Sequence, residues 1–80
     1  MKKLKTINNE AARYALHQCK KNDKLTMGDF DMYHNDYIYC FAQKEGLTLE
    51  KQYKIVDICG EHYNQYKAQI EALKAQKKAL

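Results

Sequence analysis

The sequence predicts an all-α fold of three helices, of which the third is long and protruding. Apolar residues recur at steps of three and four along most of the chain. The 80 residues include no proline and only three glycines, so little interrupts a helix. Threonine and glycine stand where the periodic segments start and stop. We expect one small domain over residues 1–80, with helices at about 7–21, 27–45 and 49–79.

The first predicted helix carries a single apolar stripe at helical spacing, formed by Ile7, Ala11, Tyr14, Ala15 and Cys19. Asn8 or Asn9 can cap its start, and Glu10 then lies near the positive end of the helix dipole. Lys20 and Lys21 suit the negative end. The polar residues 22–24 predict the break after this helix.

The second predicted helix has clear signals at both ends. Thr26 is placed as its N-cap, and Asp29, three residues later, approximates the partner of a capping box. Its apolar and aromatic residues recur at steps of three and four: Met27, Phe30, Tyr33, His34, Tyr37, Ile38 and Phe41. Gly46 follows where a left-handed residue ends a helix, because glycine has no Cβ penalty there.

The third predicted helix starts at the Thr48 cap and carries a seven-residue apolar seam. The seam consists of Leu49, Val56, Cys59, Tyr63, Tyr66, Ile70, Leu73 and Leu80, interrupted only by Gln52 and Lys77. One continuous helix of this length would run about 45–50 Å, whereas an 80-residue globule has a radius of gyration of about 12 Å. The helix would therefore overhang its domain and pair with a second copy as a homodimeric coiled coil, or dock into a groove of a larger protein.

A plain three-helix bundle is the alternative to that overhanging seam. In it, the first two helices cover residues 49–66, and only Ile70, Leu73 and Leu80 remain outside the core.

The net charge of +4 is distributed unevenly along the chain. Residues 1–24 carry seven bases against two acids, residues 25–50 carry five acids against one lysine, and residues 51–80 carry six lysines against three acids. An acidic, tyrosine-rich middle between basic ends indicates steering towards another protein. An odd number of cysteines, no secretory leader and no apolar run of membrane-spanning length predict a reduced, cytoplasmic protein.

The histidines and cysteines do not form a recognisable metal or catalytic pattern. The candidates are His17, Cys19, His34, Cys40, Cys59 and His62. His17 and Cys19 would point about 200° apart on a helix, and structural zinc needs four convergent ligands. No glycine-rich loop or nucleophile elbow is present. We expect no metal, no cofactor and no enzymatic activity.

Residues 41–48 resemble the corner of a helix-turn-helix motif, with a small residue four positions before Gly46 and an apolar residue and a hydroxyl after it. The resemblance implies a small basic DNA-binding protein. Glu45 and Gln52 depart from the motif, which has apolar residues at both positions. Thirteen of the fourteen bases are lysine, although arginine is preferred for reading bases. The candidate nucleic-acid contacts are Lys2, Lys3, Lys5, Lys20, Lys21, Lys67 and Lys74.

Seven tyrosines in 80 residues favour a protein interface, because tyrosine joins an apolar ring to a polar tip. The candidate partner or dimer interface comprises Tyr39, Tyr53, Tyr63, Tyr66, Ile70 and Leu73. We therefore expect a non-enzymatic protein–protein interaction module, an adaptor or inhibitor of a larger protein such as a host protein. The lysine-, asparagine- and tyrosine-rich composition is typical of phage and other mobile elements.

Overall fold

A computed structural model describes residues 2–79, and the side chains of residues 2–78. Its helices are α1 Leu4–Asn22, α2 Met27–Glu45, α3 Leu49–Glu61 and α4 Tyr63–Ala79. The all-α prediction is confirmed, and the prediction of three helices is wrong, because the third predicted helix is two. The molecule measures 43 × 22 × 18 Å. Leu80, the last position of the predicted seam, lies outside the described residues.

Helix α1 starts three residues earlier than the sequence predicted, with Lys3 as an extended N-cap that makes no side-chain cap hydrogen bond. Neither predicted asparagine cap is used. Asn8 is fully buried inside the helix, and Asn9 is exposed within it. Leu4 packs against the buried cluster that contains Ile7. This apolar contact extends the helix beyond its best capping residues.

Helix α2 has the predicted ends. The Thr26 hydroxyl accepts a hydrogen bond from the Asp29 backbone N–H at 3.1 Å and donates one to the Asp29 carboxylate at 2.7 Å. Gly46 is left-handed at φ 71° and ends the helix, as predicted. Leu47 then turns back into the core, and the Thr48 hydroxyl caps α3 by accepting from the Lys51 backbone N–H.

The third predicted helix breaks at His62. This residue has φ −107° and ψ 16°, and its backbone N–H reaches the carbonyls of Cys59 and Gly60 instead of a partner four residues back. Glycine is the weakest helix former after proline, so Gly60 lowers the helix propensity of the segment just before the break. The helical path resumes when the Tyr66 N–H bonds the His62 carbonyl.

Helix α1 is central and contacts the other three helices. Two apolar clusters lie along it. The first, towards its N-terminal half, contains Ile7, Ala11, Ile38, Ala42, Leu47 and Ile55. The second, towards its C-terminal half, contains Ala12, Ala15, Cys19, Phe30, Cys59, Tyr66 and Ile70. The α3–α4 segment therefore follows α1 in the same direction, and α4 ends where Lys77 forms an ion pair with Asp23.

Candidate functional site

Helix α3 carries two apolar stripes, and only one of them is buried. The core stripe is Ile55 and Cys59, continued on α4 by Tyr66 and Ile70, all 7% exposed or less. The second, which we call the α3 stripe, is exposed and consists of Leu49 at 66%, Tyr53 at 66% and Val56 at 46%, together with Tyr63 at 40%, the first residue of α4. At 3.6 residues per turn, the two stripes lie roughly a quarter of a turn apart.

The predicted seam mixed residues from both stripes. Four of its residues are spaced seven apart: Leu49, Val56, Tyr63 and Ile70. The exposed fraction of the side chain falls along this series from 66% to 46%, 40% and 1%. The break at His62 interrupts this series between Val56 and Tyr63, so the residues after it do not continue the exposed face of α3. The seam therefore rotates from solvent into the core of its own chain.

The structure separates the six predicted interface residues into two groups. Tyr39 is 63% exposed, and Tyr53 and Tyr63 belong to the α3 stripe. Tyr66 and Ile70 are core residues, and Leu73 is half-buried against the same cluster. The last three side chains are occupied by contacts with their own chain. The three-helix-bundle alternative placed Tyr66 in the core correctly, but it left Ile70 and Leu73 outside the core, and the structure buries Ile70 and half-buries Leu73.

The α3 stripe borders α2 and points away from α1. On one side of the core stripe, Gln69 shares a groove with Asn9 and Arg13 of α1. Beside the core stripe, the charge of Asp31 on α2 contributes to the raised pKa of the Cys59 thiol, after burial. The exposed side chains Met32 and Tyr39 share the outer face of α2, because they are seven residues apart. We call these two residues the α2 edge.

Acidic residues surround the α3 stripe. Glu50, Asp57 and Glu61 lie along its free side at helical spacing, and we call these three the acidic flank. Asp31 lies on the side of α2. Burial raises the pKa of the Asp31 carboxyl, because partial desolvation disfavours its charged form. The nearest base within the flank is Lys54, which pairs with Glu50 at 3.4 Å. A protein of net charge +4 thus presents an acidic, apolar face.

A buried polar network joins three helices between the two apolar clusters. His34 Nε2 lies 2.8 Å from Asn8 Oδ1, and Asn8 Nδ2 donates to the Tyr66 hydroxyl at 3.0 Å. Asn8 is 0% exposed and His34 2%. Burial lowers the pKa of His34 and raises that of Tyr66, so both are neutral at pH 7. These satisfied groups fix how α1, α2 and α4 meet.

Sequence reasoning did not find this network, because it assigned Asn8 to the solvent as a cap. One signal was available. Asn8 lies one residue after Ile7 and three before Ala11, and therefore on the edge of the predicted apolar stripe of α1. Ile55 was missed for a related reason, since the heptad seam selected its neighbour Val56.

The cysteines differ in burial, and the described cysteines and histidines do not converge on one site. Cys19 and Cys59 are buried, and Cys40 is exposed. Burial raises the pKa of the Cys59 thiol to about 11, so it is protonated at pH 7 and is a poor nucleophile or metal ligand. Among residues 2–79, no group of three or more His, Cys, Asp or Glu side chains is arranged to hold a metal ion.

The candidate nucleic-acid lysines divide between the two ends of α1. Lys2, Lys3 and Lys5 lie at its start, where Lys2 pairs with Glu10 at 2.9 Å. Lys20 and Lys21 lie at its end, where Lys20 and Lys77 line one groove beside Leu25 and Leu73. Lys74 lines an adjacent groove and pairs with Glu71, whereas Lys67 is exposed on α4 beyond the α3 stripe.

None of the described helices has the length and apolar character needed to cross a membrane. No protein-family model, curated protein or solved structure matches the chain.

Proposed function

We propose that this protein is a non-enzymatic interaction module, an adaptor or inhibitor that binds another protein through the α3 stripe and the α2 edge. The observation that carries the proposal is the second apolar stripe of α3, which the fold leaves uncovered. Leu49, Tyr53 and Val56 are each 46% exposed or more, although a buried stripe on the same helix already supplies the core contacts. Folding of the chain does not require this second stripe.

The energetic reason is the apolar area that remains in water. Fully burying a large apolar side chain stabilises a complex by about 1.5–3 kcal/mol, and tyrosines supply much of the binding energy at protein interfaces. Tyr53 and Tyr63 alternate along the stripe with the aliphatic Leu49 and Val56, so the face combines aliphatic and aromatic side chains. Contiguous apolar surface of this kind marks interaction sites in soluble proteins.

A site-specific photo-cross-link tests the proposal. A benzophenone amino acid replaces Tyr53 on the face or, as a control, Tyr14, which is 37% exposed on α1. After irradiation in an extract of the source cells, we expect a discrete protein adduct from position 53 and none from position 14. Equal labelling from both positions, or none from position 53, would contradict the proposal.

Homodimerisation through the same stripe is a further form of this proposal, carried over from the heptad spacing. The positions Leu49, Tyr53, Val56 and Tyr63 follow at steps of four, three and seven, which match core positions of a coiled coil with Gly60 at the position between the last two. Light scattering coupled to size-exclusion chromatography at high micromolar concentration tests it. If the protein is a dimer, the Val56→Asn variant should be monomeric. A strict monomer of the unsubstituted protein would rule out homodimerisation.

Nucleic-acid binding is the second candidate function, and the convergence of lysines from α1 and α4 favours it. Lys20 and Lys77 line a shared groove. These bases also stand at helix C-termini, where cations are stabilising without any ligand. The α3 face that a helix-turn-helix would present to DNA carries the acidic flank, which would repel phosphates. A gel shift at two salt concentrations is the test, since phosphate contacts weaken steeply with salt.

A further inference from the structure

The surface around the α3 stripe is negatively charged as well as apolar. Along the stripe, Glu50, Asp57 and Glu61 stand on one side, and Lys54 offsets Glu50 through an ion pair. Asp57 and Glu61 form no ion pair within residues 2–78. The rest of the chain is strongly basic. A run of three acids thus accompanies the exposed apolar side chains of α3.

We propose that the occupant of this face is an amphipathic helix of another protein, with apolar residues facing the α3 stripe and lysines or arginines at its edges. This inference rests on the proposed function and names the chemistry of its partner. The apolar residues of the partner would cover Tyr53 and Val56. Its bases would reach the acidic flank, where Asp57 and Glu61 form no ion pair with the described residues.

Charge argues against a second copy as the occupant. In an antiparallel pair of α3 helices, Glu50 and Asp57 of one protomer would face the same residues of the other. Like charges at such flanking positions destabilise pairing. In a parallel pair, the acids would face Gln52 and Cys59, which are half-buried and buried, respectively, beside α2. Neither arrangement gives the acids a base.

The size of the face also fits a single helix. From Leu49 to Tyr63 the stripe is about 21 Å long, and one helix is about 10 Å wide. A stable dimer commonly buries about 800 Å² on each partner. The stripe alone is several-fold smaller than that, whereas a helix of four turns lying beside α3 and the α2 edge would cover it.

Designed peptides test the inference on the full-length protein. The probe is an 18-residue leucine–lysine peptide with leucines at steps of three and four, compared with a leucine–glutamate peptide of the same pattern. Isothermal titration calorimetry measures both. We expect the basic peptide to bind, the acidic peptide not to bind, and the affinity of the basic peptide to fall between low and physiological salt.

Two pairs of variants locate the binding. Asp57→Lys should weaken the basic peptide about fivefold or more, since it exchanges an attraction for a repulsion. Glu71→Lys makes the same charge change about 21 Å further along the helical path and should have little effect. Val56→Asn should weaken binding about tenfold through lost apolar contact, whereas Ala68→Asn, at an exposed α4 position, should not.

Each contrary outcome has a definite meaning. Binding of both peptides, of neither, or of the basic peptide with equal losses in Asp57→Lys and Glu71→Lys would overturn the inference. A dimer that dissociates in Val56→Asn would assign the face to a second copy, again overturning it. The proposed function has its own readout, because a cross-link at position 53 to an acidic or neutral protein segment would support that function while rejecting a basic partner.

Discussion

Helices α3 and α4 follow one another along the same path, yet they differ in how many of their apolar side chains are exposed. On α4, Tyr66 and Ile70 are buried, and the outward positions carry glutamine, alanine and lysine. On α3, an outward stripe of Leu49, Tyr53 and Val56 accompanies the buried Ile55 and Cys59. One apolar stripe is enough to hold α4 in place, so the second stripe of α3 is surplus to the fold.

The largest difference between the two stripes should appear when an aliphatic side chain of each is truncated to alanine. Ile70→Ala empties a site that is 1% exposed and should lower the free energy of unfolding by about 2–5 kcal/mol, through lost transfer energy and a residual cavity. Val56→Ala, on the exposed stripe, should change it by less than about 0.5 kcal/mol. Urea unfolding followed by circular dichroism measures both.

If Ile70→Ala does not fold, Ile70→Val provides the same comparison with an expected loss of about 0.5–1.5 kcal/mol. Equal losses at residues 56 and 70 would show that the α3 stripe is buried in solution, and the distinction between the two helices would fail.

The next largest effect concerns the polar network that attaches α4 to α1 and α2. Asn8→Ala removes both hydrogen bonds of the Asn8 amide and leaves His34 and Tyr66 unpaired in a buried site. We expect a loss of about 2–3 kcal/mol. Asn9→Ala is the matched control, because Asn9 is exposed on the same helix. It should be neutral or slightly stabilising, since alanine is the better helix former. Losses that do not differ would mean that the network carries no stability.

The sequence was most informative where local chemistry decides the structure. The Thr26 and Thr48 caps, the Gly46 stop and the bounds of α2 were all predicted, because each depends on a few adjacent residues. The heptad seam predicted apolar positions correctly and their destinations incorrectly. Its periodicity could not show that the helix breaks at His62, and it is the path after this break that carries Tyr66 and Ile70 into the core.

Protonation of His34 should produce a smaller, pH-dependent effect. In the unfolded chain this imidazole titrates near its ordinary pKa of 6.5, and burial lowers the pKa in the folded protein. As the pH falls below 6.5, the unfolded state therefore binds more protons than the folded state, and stability declines. The contribution is fully present above about pH 6.5. Unfolding free energies at pH 7.5, 6.5 and 5.5 measure the decline.

Variants of two histidines isolate that contribution. His34→Gln should flatten the dependence between pH 7.5 and 5.5, since it removes the titrating ring. His17→Gln changes an exposed histidine and should preserve the dependence. If the unfolding free energy of His34→Gln has the same pH dependence as that of the unsubstituted protein, the loss of stability at low pH is due to other groups and not to His34.

The smallest expected effect tests the junction between α3 and α4. A Cβ added at Gly60 would meet no atom within 4 Å, so Gly60→Ala should stabilise the protein by about 0.5–1 kcal/mol through helix propensity. Gly46→Ala is the opposing control, because its φ of 71° costs a residue with a Cβ about 1–2 kcal/mol. Thermal unfolding separates them, since 1 kcal/mol shifts the midpoint of so small a domain by about 4–8 °C.

The sign of the Gly60→Ala change distinguishes two origins of the break at His62. Tyr66 is held between Asn8 and Phe30, with its ring centroid 5.0 Å from that of Phe30. If these contacts set the path of α4, alanine at position 60 stabilises α3 and leaves the break in place. A loss of stability would instead mean that the turn requires the backbone freedom of glycine. The exposure of the α3 stripe would then depend on this single residue, since a helix continued without the break would carry Tyr66 and Ile70 to other positions around its axis.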